Sequence, residues 1–433
     1  MNERDWVLFL LIVILYAVFS AWLGRFSVTM PLVLVVSCAL LGPGALGMLD
    51  IPASATDAEH VTEVTLALLL FADASTLNFR EVRLDAGLPR RLLLIGLPLT
   101  VLLGAAAAYV LFPDEGIGFA LLVGAILAPT DAALGLPIFN DPQVPSRIRR
   151  ALNIESGLND GIATPLVTLF LAFAVEELGS TQENWFFDAL SDIGLAIAVG
   201  VVVGLIGGKV FMAAVANRWT TPTDQRIGNL ALALAVYWAA LAVGGNGFIA
   251  AFVGGLAFGA TTRSTLREAT DFTEEFGAVL STIVWGLFGV SIVVPLIREF
   301  EFKAFVFAAF ALTLARMIPV AFSLFGIGMR RDTVLLMGWL GPRGLASVVF
   351  MLIAVETFRE AGEEAGTLTA MVGWTITLSV VLHAVTAAPL AGWYARRLKT
   401  AAPDAPELIP IPELSEHQAP GKHRSFSAHS ANR

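Results

Sequence analysis

Residues 153–165 read NIESGLNDGIATP and place Glu155, Asn159 and Asp160 inside one otherwise apolar run. A carboxylate in such surroundings holds either a proton or a small cation, because a bare charge in a low-dielectric site is unfavourable. One site with two competing ligands is the chemistry of an exchanger. Oxygen donors suited to a hard cation lie on the same run at Ser156, and at Thr130 and Asp131 in LAPTDAALG (127–135). On a helix Glu155 and Asn159 share a face, while Asp160 is turned away by about a further 100°. The spacing therefore predicts that Asp160 faces a cavity and that Asn159 steadies Glu155.

The rest of the chain says what must position these groups. Of the 433 residues, 56% are hydrophobic and 15% charged, and the mean hydropathy is +0.76. A soluble domain carries about 25% charge, so this is an integral membrane protein. Apolar runs of roughly 20 residues suit a hydrocarbon core of about 30 Å. Thirteen such spans are predicted, near 6–23, 29–47, 61–77, 92–112, 117–139, 150–175, 188–216, 226–243, 246–260, 276–297, 303–326, 332–355 and 367–394. The first follows MNERD, with charges of both signs and no small-residue cleavage site, and reads as a retained span.

Placing the interspan Lys and Arg on alternate sides gives 18 against 4. The rich side holds Arg25, the Arg80–Arg91 group, Arg147, Arg149, Arg150, Arg330 and Arg331 among others. That side is expected to be cytoplasmic, with the N-terminus outside and the C-terminus inside. From about Thr400 to Arg433 the composition turns polar and Pro-rich, which predicts a disordered cytoplasmic tail after a transmembrane domain over 1–399. The histidines at 417, 423 and 429 fit no ligand spacing, and His383 reads as a packing histidine, with a proton relay as the alternative. Cys38 is the only cysteine, so one chain holds neither a disulfide nor a cysteine metal site. No nucleotide-binding fingerprint is present, and neither an enzyme nor a nucleic-acid partner is expected.

Depth follows from a rise of about 1.5 Å per residue. Asp160 lies ten residues past Arg150, and Asp131 ten before Asp141, which puts each about 15 Å deep. Arg343 and Arg316 come out at roughly 18 and 20 Å. Ionisable groups at the midplane usually face a bundle interior or a cavity, on an ion pathway. The fifth span is interrupted at Pro129-Thr130-Asp131, and the twelfth at Gly341-Pro342-Arg343-Gly344. Proline breaks the helix ladder, and irregular backbone at that depth must be buried or line a cavity. The two breaks run in opposite directions, the pattern of an inverted-repeat transporter with discontinuous helices. Asp131 suits the positive half-helix ends and Arg316 the negative ones.

ESGLND (155–160), APTD (128–131) and GPRG (341–344) together resemble the monovalent cation/proton antiporters of the sodium/proton exchanger type, in the branch with an Asn-Asp pair. The resemblance spans about residues 6–395. It implies a homodimer in the cell membrane, with a dimerisation scaffold beside a mobile six-helix core that includes 92–175 and 303–394. It implies that Asp160 carries cation and proton in turn, with Glu155, Ser156, Thr130 and Asp131 around it and Arg343 paired to Glu155. Asp160 and Glu155 are then the carboxylates that meet the monovalent cation, sodium first, with lithium or potassium as alternatives, and no cofactor is needed. With Asn159 in place of a second acid, exchange is expected to be electroneutral. The chain departs from the pattern at Gly157, where a bulkier aliphatic is usual, and at FADAS (71–75), where an acidic FEAG-like stretch often occurs. Asp73 in that stretch reads as an interfacial charge, with a funnel residue as the alternative.

Rival readings are a cation channel, a substrate/ion symporter on a related inverted-repeat fold, and an intramembrane aspartyl protease using Asp131 and Asp160. The sequence has no repeated filter, and neither aspartate sits in a GxGD-like pattern.

Overall fold

The computed structural model describes residues 3–49, 55–77, 87–131, 134, 143–179, 184–262, 265–400, 402 and 405–409. Among the described residues all regular structure is helical. In chain order the helices are α1 (Glu3–Leu23), α2 (Met30–Leu41), α3 (Ala55–Thr76), α4 (Gly87–Leu111), α5 (Gly116–Ile126), α6 (Ser146–Glu177), α7 (Trp185–Ala216), α8 (Pro222–Ala242), α9 (Gly247–Thr262), α10 (Arg267–Arg298), α11 (Phe302–Ser323), α12 (Arg331–Trp339), α13 (Leu345–Glu360) and α14 (Gly366–Leu398). Each of the thirteen apolar runs carries helix, and seven of these segments are long and apolar enough to cross a membrane unaided. Arg80, Arg83, Arg263, the second half of the fifth run and the histidine-bearing tail lie outside the described residues.

Two bundles form. In one, α9 packs on α7 and α3, and α3 on α10. Small residues make this approach close. Gly200, Gly204 and Gly208 of α7 face the backbone or Thr261 of α9, where an added Cβ would meet atoms at 2.1–2.7 Å. Such small-residue seams let helices associate by van der Waals contact where lipid removes any hydrophobic drive. In the other bundle, α5 lies between α4 and α6, and α11 runs along α14.

The twelfth run is interrupted as predicted. Helix α12 ends at Trp339, residues 340–344 are non-helical, and α13 starts at Leu345. In the fifth run α5 ends at Ile126 and the chain is non-helical through Asp131. The expected tail differs at its start. Ala405 and Glu407 are buried, and Glu407 Oε1 accepts hydrogen bonds from Arg330 N (2.7 Å) and Thr333 Oγ1 (2.8 Å) at the first turn of α12. An acid there meets the exposed N–H groups and positive end of the helix.

Candidate cation-binding site

The two breaks lie against each other. Asp131 N donates to Pro342 O (2.8 Å), and Leu345 N, at the start of α13, donates to Asp131 Oδ2 (3.0 Å). Asp131 thus caps the positive end of α13, as its sequence position suggested. Gly344 makes this approach possible, since a Cβ there would fall 1.8 Å from Asp131 Oδ2. Ser347 Oγ donates to Ile126 O (2.7 Å), tying α13 to the last turn of α5.

The two arginines exchange their expected partners. Arg343 Nη1 donates to Ala128 O (2.7 Å) and Pro129 O (3.0 Å), at the negative end of α5. Arg316 instead pairs with Glu155, Nη1 to Oε1 at 2.6 Å. The expectations that Arg343 holds Glu155 and that Arg316 neutralises half-helix carbonyls are both corrected. The physical reason is reach. Arg343 sits inside the break, next to the carbonyls freed at 128–129, while Arg316 projects from α11 towards α6.

Asn159 also has a different partner from the one expected. Its Nδ2 donates to Thr130 Oγ1 (2.6 Å), with Thr130 O at 3.4 Å, so it fixes the unwound segment rather than Glu155. Thr130 Oγ1 lies 3.2 Å from Ser156 Oγ. Glu155, Ser156, Asn159, Thr130, Arg316 and Arg343 are all buried. Asp160 is half-buried, and it lies within electrostatic reach of Asp131 and Asp73.

Asp73 is part of this charged neighbourhood. It lies near the end of α3, within reach of Glu274 as well as Asp131. Its neighbours Phe71, Ala72, Ala74 and Ser75 are all buried. His383 is a packing histidine, with Nε2 2.8 Å from Trp339 O and Nδ1 2.8 Å from Ser379 O.

Asp160 lies on one stripe of α6 that becomes more exposed towards the start of the helix. Asn153, Gly157 and Asp160 recur at spacings of four and three, the repeat of a single helix face. Asn153 is exposed and Gly157 half-buried, so the stripe opens towards the arginine-rich end where α6 begins. Glu155, Ser156, Asn159 and Asp160 thus lie on one helix beside the break at 127–131, with Glu155, Asp131 and Arg343 each engaged by protein groups.

Paired breaks beside a half-buried carboxylate agree with the comparison to known proteins. A model of the transmembrane sodium/hydrogen exchanger family matches residues 8–393. The chain belongs to that family. It is 27% identical over 308 residues to the probable Na+/H+ antiporter 2 of Methanocaldococcus jannaschii, covering 64% of this chain and 70% of that one. It is 23% identical over 295 residues to the K+/H+ antiporter NhaP of Alkalimonas amylolytica, covering 67% of this chain and 50% of the relative. The fold is similar to that of the sodium proton antiporter MjNhaP1 of M. jannaschii at pH 8, with a TM-score of 0.71, 19% identity, and coverage of 89% of this chain and all of that one. This exchanger-family chain is a multi-pass membrane protein, a transporter by kinship rather than an enzyme.

Proposed function

We propose that this protein exchanges a monovalent cation for protons by alternating access, one for one, with Asp160 as the shared carrier. The observation that carries the reading is the state of Asp160. Glu155 is held by Arg316, Asp131 caps α13, and Thr130 is held by Asn159, whereas Asp160 stands half-buried at the inner end of the Asn153–Gly157 stripe. A carboxylate so placed takes a proton or a dehydrated cation in turn, with Ser156 and Thr130 supplying further oxygens. Glu155 shapes the site through Arg316.

The reading extends to sidedness and assembly. All thirteen runs span the bilayer, the arginine-rich face is cytoplasmic, and the N-terminus is outside. Helices α4–α6 and α11–α14 form a mobile six-span core of two inverted repeats, and α1–α3 with α7–α10 form the scaffold of a homodimer. The opposite courses of α5 and α12 support the repeats, since α12 starts beside Arg330 on the arginine-rich face and α5 starts at the other. With Asp160 reached from the arginine-rich end, the described conformation faces inward. Sodium is put first on the name of the M. jannaschii relative, and potassium second on that of the Alkalimonas relative.

Liposomes holding the purified protein, an imposed pH gradient and a pH dye test the reading. Sodium chloride should restore dye fluorescence by moving protons. If sodium, lithium and potassium salts all leave the gradient intact, the proposal fails. Current without proton movement would make the protein a channel instead.

A further inference from the structure

The stripe of α6 that carries Asp160 continues at the same spacing through Thr164 and Thr168. Burial changes along it in a telling order. Asn153 is exposed and Gly157 and Asp160 are half-buried, Thr164 is only 1% exposed, and Thr168 is half-buried again. Beyond Thr164 opens a cavity of about 280 Å³, lined by Thr164, Thr168, Asn246, Phe248, Phe350 and Thr357 among others. Thr164 thus lies between this cavity and the half-buried Asp160 on one helix face, and its Oγ1 is turned back onto Asp160 O at 2.7 Å.

At this level α6 meets α9 twice. The Phe252 ring lies against Gly161, where an added Cβ would sit 2.2 Å from a ring carbon. Two turns further out, Asn246 Nδ2 donates to Thr168 Oγ1 at 3.0 Å. Asn246 is also the residue that starts α9, because its Oδ1 accepts the N–H groups of Phe248 and Ile249, both at 3.0 Å. The Thr168 hydroxyl donates its own proton to Thr164 O (3.1 Å), which leaves a lone pair for Asn246. One amide therefore fixes the end of α9 and fastens it to the helix that carries Asp160.

We infer that the Asn246–Thr168 hydrogen bond is a latch that holds the outer side shut while Asp160 faces the cytoplasm, and that the cavity around it is the closed outer vestibule. The inference rests on the proposed function, in which α6 belongs to the moving core and α9 to the scaffold. Any displacement of α6 along α9 that brings Asp160 to the outer compartment must carry Thr168 away from Asn246. A neutral amide–hydroxyl bond suits the task, since its net strength sets a bias of about two- to tenfold between states. A bias of that size favours one conformation yet breaks in every cycle. Gly161 serves the same motion, because a bare backbone lets the Phe252 ring slide where a side chain would obstruct it.

The test compares Thr168→Val, Thr168→Ser and Thr357→Val in liposomes of known orientation. Thr357 lines the same cavity, but its hydroxyl is engaged with Ile353 O (2.9 Å) on its own helix. The cation concentration for half-maximal exchange is measured on each face. Thr168→Val should lower the outer value and raise the inner one, moving their ratio by about fivefold, the middle of the range for one net hydrogen bond. Thr168→Ser should keep the wild-type ratio, and Thr357→Val should not move it. An unchanged ratio in Thr168→Val, or an equal shift in Thr357→Val, overturns the latch. Should Thr168→Val be inactive, hydrogen exchange decides: faster uptake over residues 243–250 supports the latch and unchanged uptake overturns it. Wild-type protein that exchanges no cation at all refutes the proposed function, while the hydrogen-exchange result still judges the contact.

Discussion

Arg316 carries Glu155: its Nη1 stands 2.6 Å from Oε1, and both side chains are at most 3% exposed. Removing one partner of a buried pair leaves the other charge uncompensated, at a cost of about 3–5 kcal/mol, whereas replacing both with apolar groups is often neutral. Arg316→Ala should therefore lower the melting temperature in detergent by many degrees. Glu155→Leu combined with Arg316→Met should recover most of the loss without recovering exchange. Arg316→Ala melting like wild type would remove this pair from the account.

Asp160→Asn keeps the shape of the side chain but can neither release a proton nor offer a charged ligand. Cation-driven dye recovery should vanish in this variant while its melting temperature stays within a degree or two of wild type. Retained exchange would take the carrier role away from Asp160.

Glycines 157 and 344 make an opposed pair. A Cβ at Gly157 meets nothing within 4 Å, while one at Gly344 falls 1.8 Å from Asp131 Oδ2. Gly157 lies inside α6, where alanine is favoured over glycine by about 1 kcal/mol. Gly157→Ala should raise the melting temperature slightly and keep exchange. Gly344→Ala should displace the Asp131 cap of α13 and abolish exchange. The comparison fails if the two variants behave alike in both assays.

What the sequence made legible was depth along each helix. Pro129 and Pro342, each beside an ionisable residue, marked both breaks because proline acts on its own backbone and its effect needs no partner. Asp160 was legible for the same reason: its distance from Arg150 sets its depth. Rotation was not legible. Arg316 and Arg343 come out at nearly the same depth, and which of them meets Glu155 depends on how α11 and the break at 340–344 are turned about their axes. The same holds for Asp73, whose nearness to Asp131 depends on the packing of α3. Glu407 carried no signal at all, being one acid in a polar segment whose role is set by the distant first turn of α12.

That contact makes the start of the tail part of the membrane domain. Glu407 is fully buried, bonded to Arg330 N and Thr333 Oγ1, and Arg147 Nη1 donates to the neighbouring Pro406 O at 2.6 Å. The segment thus joins the first turns of α6 and α12. Truncating it strands those donors, a loss of about 1–3 kcal/mol for each buried group left unmatched. A chain ending at Thr400 should melt several degrees below one ending at Pro410, and the latter should match the full chain. Equal melting of all three would make the contact incidental.

Voltage should have no grip on the exchange cycle. Among the charges around the site, Glu155 and Arg316 cancel each other, Arg343 is set on the carbonyls at 128–129, and Asp131 caps α13. In the proposed cycle these groups travel together with the core. Asn159 adds none, because it is an amide spent on Thr130. Only Asp160 changes its load, and with a cation or a proton bound it has the same net charge. In the proposed cycle Asp73 does not alter the sum, because α3, which packs on α9 and α10, belongs to the scaffold. The membrane potential acts on charge that moves, at about 2.3 kcal/mol per elementary charge per 100 mV. A cycle that moves equal charge in both directions therefore gains nothing from it. Liposomes clamped with potassium and valinomycin should show sodium-driven exchange whose rate and end point are the same at 0 mV and at roughly −100 mV, a range over which one uncompensated charge would shift the end point by tens of fold. An end point that follows the clamp would mean that a second charge moves in each cycle and would overturn the one-for-one count.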